Sequence, residues 1–281
     1  MTVLRNILEL NEWRVSIGEQ TLGFVPTMGA LHKGHLSLVK CSLSMDDYTL
    51  VSIYVNPTQF NNAEDLDKYP STLEKDLRLL RDTGEVVVYL PSQKDLYPHR
   101  LKSRSFDFGS LSKFMEGAGR PGHFDGMATV VTRFFEIIEP HRAFFGEKDY
   151  QQLAIIKHVV NEENWHVEIV PCATLREDDG LAMSSRNLRL SSAQRRAAKE
   201  IYHIISRWIQ DTDFGATSPK TAQRALIKKI NSVDYLEVEY LEFSAANTLI
   251  PVDRFKLNVP TRVFAAVMCG KVRLIDNLPL F

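Results

Sequence analysis

Gly23-Phe24-Val25-Pro26-Thr27-Met28-Gly29-Ala30-Leu31-His32-Lys33-Gly34-His35-Leu36-Ser37-Leu38-Val39 is the stretch that decides how the chain reads. Its opening is apolar, Pro26 and Gly29 punctuate a turn, and Leu36, Val39 and Leu43 then recur at helical spacing, so it spells strand, tight loop, helix. His32 and His35 stand three residues apart at the start of that helix, which puts both rings on one face beside backbone N–H groups with no intrahelical partner. The helix end carries partial positive charge and the imidazoles add donors, a combination suited to a polyphosphate. Gly34 presents no side chain, so a flat group such as adenine or a ribose can lie against the backbone. A lone histidine here would read as a surface cap, but His-x-Gly-His directly after a strand and a Pro-Thr-x-Gly turn reads as a nucleotide site.

Outward from this stretch, residues 4–18 are predicted to form a short amphipathic helix, and Tyr48 to Val55 a second strand ending in Asn56-Pro57-Thr58-Gln59-Phe60. Ser71 and Glu74 have capping-box spacing before a helix carrying Leu73, Leu77 and Leu80, which Gly84 stops. Glu85 to Pro91 reads as a third strand, Gly126 to Ile138 as an apolar helix, Arg142 to Phe145 as a fourth strand, Asp149 to Val160 as a helix and His166 to Pro171 as a fifth strand. Continuous apolar strands alternating with helices predict an α/β fold, a Rossmann-like doubly wound parallel sheet that binds ligands beyond the carboxyl ends of its strands. The unusual polar residues all come directly after strand ends: Thr27 to His35, Asn56 to Gln59, Gly146 to Gln152, and the stretch after Pro171.

Near residue 174 the pattern changes. Ser191 with Gln194 opens a long helix through Trp208, Ser218-Pro219 opens another through Ile230, and strand-like runs come next at Tyr235 to Phe243, Arg262 to Met268 and Lys271 to Ile275, the last two joined around Gly270. We therefore expect residues 1–174 to form the Rossmann-like domain and 175–281 a second, smaller α+β domain.

Composition narrows the class. A chain of 281 residues, 44% hydrophobic and 25% charged, is an ordinary globular protein long enough for about two domains. A net charge of −1 gives no general field for nucleic acid. Cys41, Cys172 and Cys269 are widely spaced, without C-x-x-C pairs, which argues against a disulfide framework or zinc site and fits a reducing cytosol. The N-terminus lacks a signal-peptide stretch, and no run of ~18 apolar residues could span a bilayer, so a cytoplasmic location without membrane partners is expected.

Two further constellations carry charge. In Phe145-Gly146-Glu147-Lys148-Asp149-Tyr150-Gln151-Gln152 a lysine sits near a helix N-terminus, where a cation is misplaced for stability unless an anion lies between them. In Thr174 to Asn187, Ser184-Ser185-Arg186 supplies hydroxyls and a guanidinium that can wrap phosphate oxygens, and Gly180 offers a hinge-like point. Gly117 to Gly122 matches G-x-G-x-x-G literally, but no apolar strand precedes it and Pro121 interrupts it, so it is rejected as a dinucleotide fingerprint. His99, His123, His141, His158, His166 and His203 show no ligand spacing, with His123 singled out for its place in Arg120-Pro121-Gly122-His123-Phe124.

The histidine stretch resembles the H-x-G-H signature of the nucleotidylyltransferase and class I aminoacyl-tRNA synthetase superfamily, and its longer form resembles the pantoate–β-alanine ligase family. The likeness runs in order along the chain, through Ser52 to Phe60, Arg120 to Gly126, Phe144 to Gln152, Asp179 to Asn187 and Arg273 to Asn277. It implies ATP-dependent joining of (R)-pantoate to β-alanine through an enzyme-bound pantoyl adenylate, a homodimer, and Mg²⁺ bound mainly through the ATP phosphates. Carried over by motif, Met28, Gly29, Ala30, Leu31, His32, Lys33, Gly34, His35, Gly146, Glu147, Lys148, Asp149, Leu175, Met183, Ser184, Ser185 and Arg186 would contact ATP. Gln59 would hold pantoate and β-alanine, and Gln152 pantoate. His35, His32, Lys148 and Arg186 are the expected catalytic groups, His35 resembling the family's proton donor.

The chain departs from the family pattern at Tyr69-Pro70-Ser71, where arginine is usual, and at Lys75, where a second carboxylate often precedes Asp76. The latter argues against a protein-borne metal site in that helix and leaves any part of Asp76 in one open. Leu175 stands where valine is common. The competing enzyme is a nucleotidylyltransferase acting on a phosphorylated acceptor, which would share the histidine loop without predicting both glutamines. A nucleotide-sensing module could dispense with Lys148 or Arg186.

Overall fold

The structure, a computed structural model, describes residues 1–61, 66, 67 and 69–281. Six strands, Thr2–Leu4 (β1), Leu22–Thr27 (β2), Tyr48–Ile53 (β3), Val87–Tyr89 (β4), Arg142–Gly146 (β5) and Glu168–Cys172 (β6), pair in the order β1-β4-β3-β2-β5-β6, all parallel. Parallel neighbours need crossovers. Helices Ile7–Ser16 (α1), Lys33–Met45 (α2), Leu73–Thr83 (α3), Gln93–Leu96 (α4), Met115–Gly119 (α5), His123–Ile138 (α6) and Tyr150–Glu162 (α7) lie between the strands. From β2 the chain adds β3 and then β4 on one side, and later β5 and β6 on the other, so strand order reverses between β2 and β5. Such a reversal opens a crevice at the carboxyl ends, and the histidine loop leaves β2 at that point.

Both faces of this sheet are covered. Phe24, Leu50 and Tyr89 point to one face, where the rings of Phe24 and Tyr89 meet Phe134 of α6 at 5.3 and 6.5 Å. Val25, Val51 and Val88 point to the other and pack with Leu38, Val39 and Leu80 of α2 and α3. Strands buried on both sides must be apolar throughout, which is why the sequence runs carry no alternation.

The chain divides into two compact units, one of Met1–Phe108, Arg120–Glu147 and Gln152–Ala173, the other of Gly109–Gly119, Lys148–Gln151 and Thr174–Phe281. In the second, strands Leu236–Ala245 (β7), Thr261–Cys269 (β8) and Val272–Pro279 (β9) form an antiparallel sheet in that order. Helices Ser192–Asp211 (α8) and Pro219–Asn231 (α9) cover one face, Ile201, Ile205, Leu226 and Ile230 packing on Leu241, Phe243, Val263 and Leu274. The other face carries the inserted segments: Tyr150 meets Phe264 at 5.8 Å, and Arg273 pairs with Glu116 at 2.8 Å. The Ser191–Gln194 capping box forms, Ser218 accepts from the Thr221 N–H, and Gly270 makes the hairpin turn at φ +60°.

Two local expectations change. Leu4 belongs to β1, not to the first helix, because Asn6 accepts from the Glu9 N–H and starts α1 after it. Three residues are too few to show a strand period. The Ser71–Glu74 box does not form: Thr72 is the N-cap of α3 and its hydroxyl bonds Asp76 at 3.1 and 3.2 Å. Gly180 stands at φ +85°, and a Cβ there would lie 2.4 Å from the Tyr202 ring, so the position requires glycine. Among the described residues no helix is long and apolar enough to cross a membrane.

Phe24 is fully buried at the centre of the sheet. Phe24→Ala is expected to cost about 3–5 kcal/mol through lost transfer energy and a residual cavity, read from the shift in denaturation midpoint.

Candidate active site

The histidine loop is built from internal hydrogen bonds. Thr27 Oγ1 donates to the Ser52 carbonyl at 2.8 Å and accepts from the Gly29 N–H at 3.2 Å. The chain then turns through Gly29 at φ +80° and Ala30 at φ +50°. A left-handed alanine costs roughly 1–2 kcal/mol. What offsets it is Asp76, 1% exposed on α3, whose Oδ2 accepts from the Ala30 N–H at 2.9 Å and whose Oδ1 accepts from the Leu31 N–H at 2.8 Å. Hydrogen bonds to a charged acceptor contribute about 1.5–3 kcal/mol each, enough to hold the strained turn.

His32 is the N-cap of α2. Its Nδ1 accepts from the Gly34 N–H at 3.1 Å, and His35 Nδ1 accepts from the His32 N–H at 3.4 Å, a capping box made of two imidazoles. The rings lie 4.0 Å apart at 31°. With Nδ1 accepting in both, the proton of each neutral ring sits on Nε2, so both histidines are Nε2–H donors. The amides of Gly29, Ala30, Leu31, His32 and Gly34, expected from sequence to be available to an anion, are instead engaged, those of Ala30 and Leu31 by Asp76 and the others by side chains of the loop and the first turn of α2. The Nε2–H groups of the two imidazoles, at the positive end of the helix dipole, are donors of a kind that suits an anion.

Gln59 is placed by a second buried anchor. Asn56, 1% exposed after β3, donates from Nδ2 to Gln59 Oε1 and to the Gly126 carbonyl, both at 3.1 Å. Its Oδ1 accepts from the Tyr97 hydroxyl at 2.7 Å and the Thr58 hydroxyl at 3.0 Å, so its polar capacity is filled. Burial pushes the Tyr97 hydroxyl above its usual range, which keeps it a neutral donor. Gln59 Nε2 lies 3.2 Å from Met28 Sδ, bringing the ends of β2 and β3 together. The Gln59 carbonyl accepts from His123 Nδ1 at 2.8 Å. Only glycine fits at Gly126, since a Cβ there would lie 2.3 Å from the Thr58 carbonyl oxygen.

Within the first unit the structure thus gathers Met28 to His35, Gln59, Gly146 and Glu147 at the carboxyl ends of β2, β3 and β5, with Gln152 half-buried in α7. Lys33 is exposed; His32 and His35 are half-buried.

The remaining predicted residues belong to the second unit. Lys148 lies in a 3₁₀ turn, its Nζ 3.8 Å from Asp149 Oδ1. Of the paired glutamines, Gln151 is engaged structurally: its Nε2 donates to the Leu111 and Phe114 carbonyls at 2.7 and 2.9 Å, and its Oε1 accepts from the Glu116 N–H at 3.0 Å. The serine and arginine loop is a small hairpin, with Arg176 bridging Ala182 and the Met183 N–H donating to the Leu175 carbonyl at 3.0 Å. Arg195 donates twice to Asp179, at 2.7 and 3.0 Å, and holds its carboxyl below the usual range. Ser184 caps the 3₁₀ turn Ser185–Arg189 by accepting from the Arg186 N–H, and the Asn187 amide donates to the Ala182 carbonyl.

Sequence reasoning places Asn56 among the polar residues after a strand end without giving it a role, and it misses the role of Asp76. Asn56 carried a faint signal, a polar residue directly after an apolar strand. The sequence raises Asp76 only as a possible metal ligand, yet both its oxygens are engaged by backbone N–H groups and by Thr72. Among the described residues no group of three or more His, Cys, Asp or Glu side chains could hold a metal ion.

Comparison with known proteins places the whole chain in one family. The family model described as pantoate–β-alanine ligase matches residues 2–279. The pantothenate synthetase of Flavobacterium psychrophilum is 45% identical over 263 residues, 93% of each chain, and that of Bacteroides thetaiotaomicron 42% identical over 281 residues, 99% of this chain and 98% of the relative. Among solved structures, pantothenate synthetase from Thermus thermophilus superposes with a TM-score of 0.91 at 37% identity, covering 100% of both chains. The ligase from Francisella tularensis, solved with beta-gamma ATP and β-alanine, gives 0.84 at 39% identity, covering 100% of this chain and 98% of that one. With its histidine loop at the strand-order reversal and its likeness running from end to end, the chain belongs to the pantoate–β-alanine ligase family.

Proposed function

We propose that the chain joins (R)-pantoate to β-alanine, converting ATP to AMP and pyrophosphate, and so makes pantothenate. The observation that carries this is the imidazole pair, capped and oriented at the carboxyl end of β2, in a chain matched by the family over residues 2–279. A pantoate carboxylate oxygen attacks the α-phosphorus and pyrophosphate leaves, forming pantoyl adenylate. The β-alanine amine then attacks the acyl carbon, loses a proton and expels AMP.

The carboxylate is already anionic, so the first step needs no strong base; it needs positive charge and donors where negative charge gathers. His32 and His35 supply Nε2–H donors to the phosphates, Lys148 and Arg186 supply cationic charge, and His35 gives a proton. Gln59 and Gln152 suit the hydroxyls and carboxylate of pantoate because amides donate and accept without net charge. Met28 to Lys33, Gly146, Glu147, Asp149, Leu175 and Met183 to Ser185 complete the ATP contacts. Mg²⁺ would be held mainly by phosphate oxygens and would neutralise their charge, in keeping with the engaged state of Asp76. The same reading assigns ATP and pantoate binding to residues 1–174, the phosphate-contacting loop to 175–281, and a homodimer working in the cytoplasm.

ATP–pyrophosphate exchange tests the reading. Exchange that requires pantoate and proceeds without β-alanine is expected; exchange only with a phosphorylated acceptor would replace the ligase by a nucleotidylyltransferase. His35→Ala is expected to lower kcat by about 100-fold or more while the folded signal in circular dichroism is retained. Asp76→Asn sets an NH₂ donor against a loop N–H, at a cost of about 1–3 kcal/mol, and is expected to raise the KM for ATP more than that for β-alanine.

A further inference from the structure

Arg273-Leu274-Ile275-Asp276-Asn277 has no part in the chemistry above, yet its last two residues are buried polar groups in the middle of a strand, 8% and 3% exposed. Consecutive strand residues face opposite sides of a sheet. Asp276 is paired in register with Ala265 and shares the helix-covered face, whereas Asn277, paired with Phe264, shares the face that carries Tyr150. Each makes a different connection.

On the helix side, Asp276 Oδ2 and Oδ1 accept from Arg176 Nη1 and Nη2 at 2.7 and 3.0 Å. Arg176 Nη1 also donates to the Gly180 carbonyl at 3.1 Å, and its guanidinium lies 4.1 Å above the Tyr202 ring. One carboxylate therefore fixes the arginine that spans the hairpin between Leu175 and Met183, the residues that lead directly into Ser184-Ser185-Arg186. A planar two-pronged pair defines direction as well as distance, which a single contact does not. On the opposite side, Asn277 Oδ1 accepts from Arg262 Nε at 2.9 Å, and its Nδ2 donates to the Lys148 carbonyl at 2.9 Å. Arg262 in turn lies 4.2 Å above the Tyr150 ring.

We propose that Asp276 and Asn277 are positioning residues for adenylate formation, one strand setting both the base of the serine and arginine loop and the backbone of Lys148. Neither touches substrate; they act through Arg176 and through the Lys148 carbonyl. The inference rests on the ligase reading, in which Lys148 and Arg186 act on the ATP phosphates. It explains why polar side chains with exacting hydrogen-bond needs occupy strand positions that an apolar residue would fill at lower desolvation cost.

Three variants separate the connections. Asp276→Asn keeps the shape and removes the charge facing Arg176. Arg176→Lys keeps the charge, loses the two-pronged geometry and leaves β9 unaltered. Asn277→Asp keeps an acceptor for Arg262 and loses the donor to Lys148. For each, single-turnover pyrophosphate release with ATP and pantoate is expected to slow at least about tenfold and the KM for ATP to rise, with the KM for β-alanine within about twofold and the burst amplitude per enzyme unchanged. Amide hydrogen exchange in residues 177–183 is expected to speed up in Asp276→Asn and Arg176→Lys but not in Asn277→Asp. Where Asp276→Asn lowers Tm, Arg176→Lys and Asn277→Asp carry the test. A reduced burst amplitude with unchanged KM and per-site rate would mean a structural role only and overturn the proposal, as would wild-type rates in the variants. If the wild type itself releases no pyrophosphate with pantoate, the ligase reading fails, and this inference with it.

Discussion

Two backbone N–H groups, those of Ala30 and Leu31, converge on the buried carboxylate of Asp76, and the histidine loop takes its shape from that contact. The turn it holds is locally unfavourable, with Gly29 and Ala30 both at positive φ. Without a buried acceptor the loop would relax, and His32 would lose the approach that makes it the cap of α2. The same carboxylate is bonded by Thr72 at the N-cap of its own helix, so α3 begins where the loop needs its partner. Placing an ionised group in the interior is costly unless it is fully bonded, and three donors from two segments meet that condition here.

A parallel arrangement serves the next strand end. Asn56, uncharged and with all its hydrogen-bonding capacity used, ties the loop after β3 to the start of α6 and to Tyr97. Gly126 permits the close approach this requires. Asp76 and Asn56 are thus paired devices, each a buried polar side chain that converts a loose strand-end loop into a fixed platform. That platform lies beside the β2–β5 reversal, where the topology of the sheet leaves room for a ligand.

Much of this was legible in the sequence because it rests on periodicity and local chemistry. The apolar runs at Leu22–Thr27 and Tyr48–Ile53 carry the mark of two-sided burial in their own residue types, and the helical spacing after His35 and the Ser191–Gln194 cap lie within a few residues of one another. What escaped depends on partners distant in the chain. Asp76 is separated from Ala30 by 46 positions, and nothing near it announces that its oxygens face backbone amides. β1 was hidden by its three-residue length, although Asn6 and Glu9 mark the helix start that ends it. The assignment of Gln151 to the 111–116 segment, beside a neighbour suited to substrate, likewise needed coordinates. Family resemblance supplied what spacing could not, namely which organic acid is activated.

Adenylate formation requires the carboxylate of pantoate to become bonded to the α-phosphorus of ATP. Turnover of pantoate carrying ¹⁸O at both carboxylate oxygens, with ATP and β-alanine, tests this directly by mass spectrometry of the AMP formed. The adenylate route predicts that each AMP carries one labelled oxygen and that pyrophosphate carries none. Unlabelled AMP, with pantothenate formed at the normal rate, would contradict it.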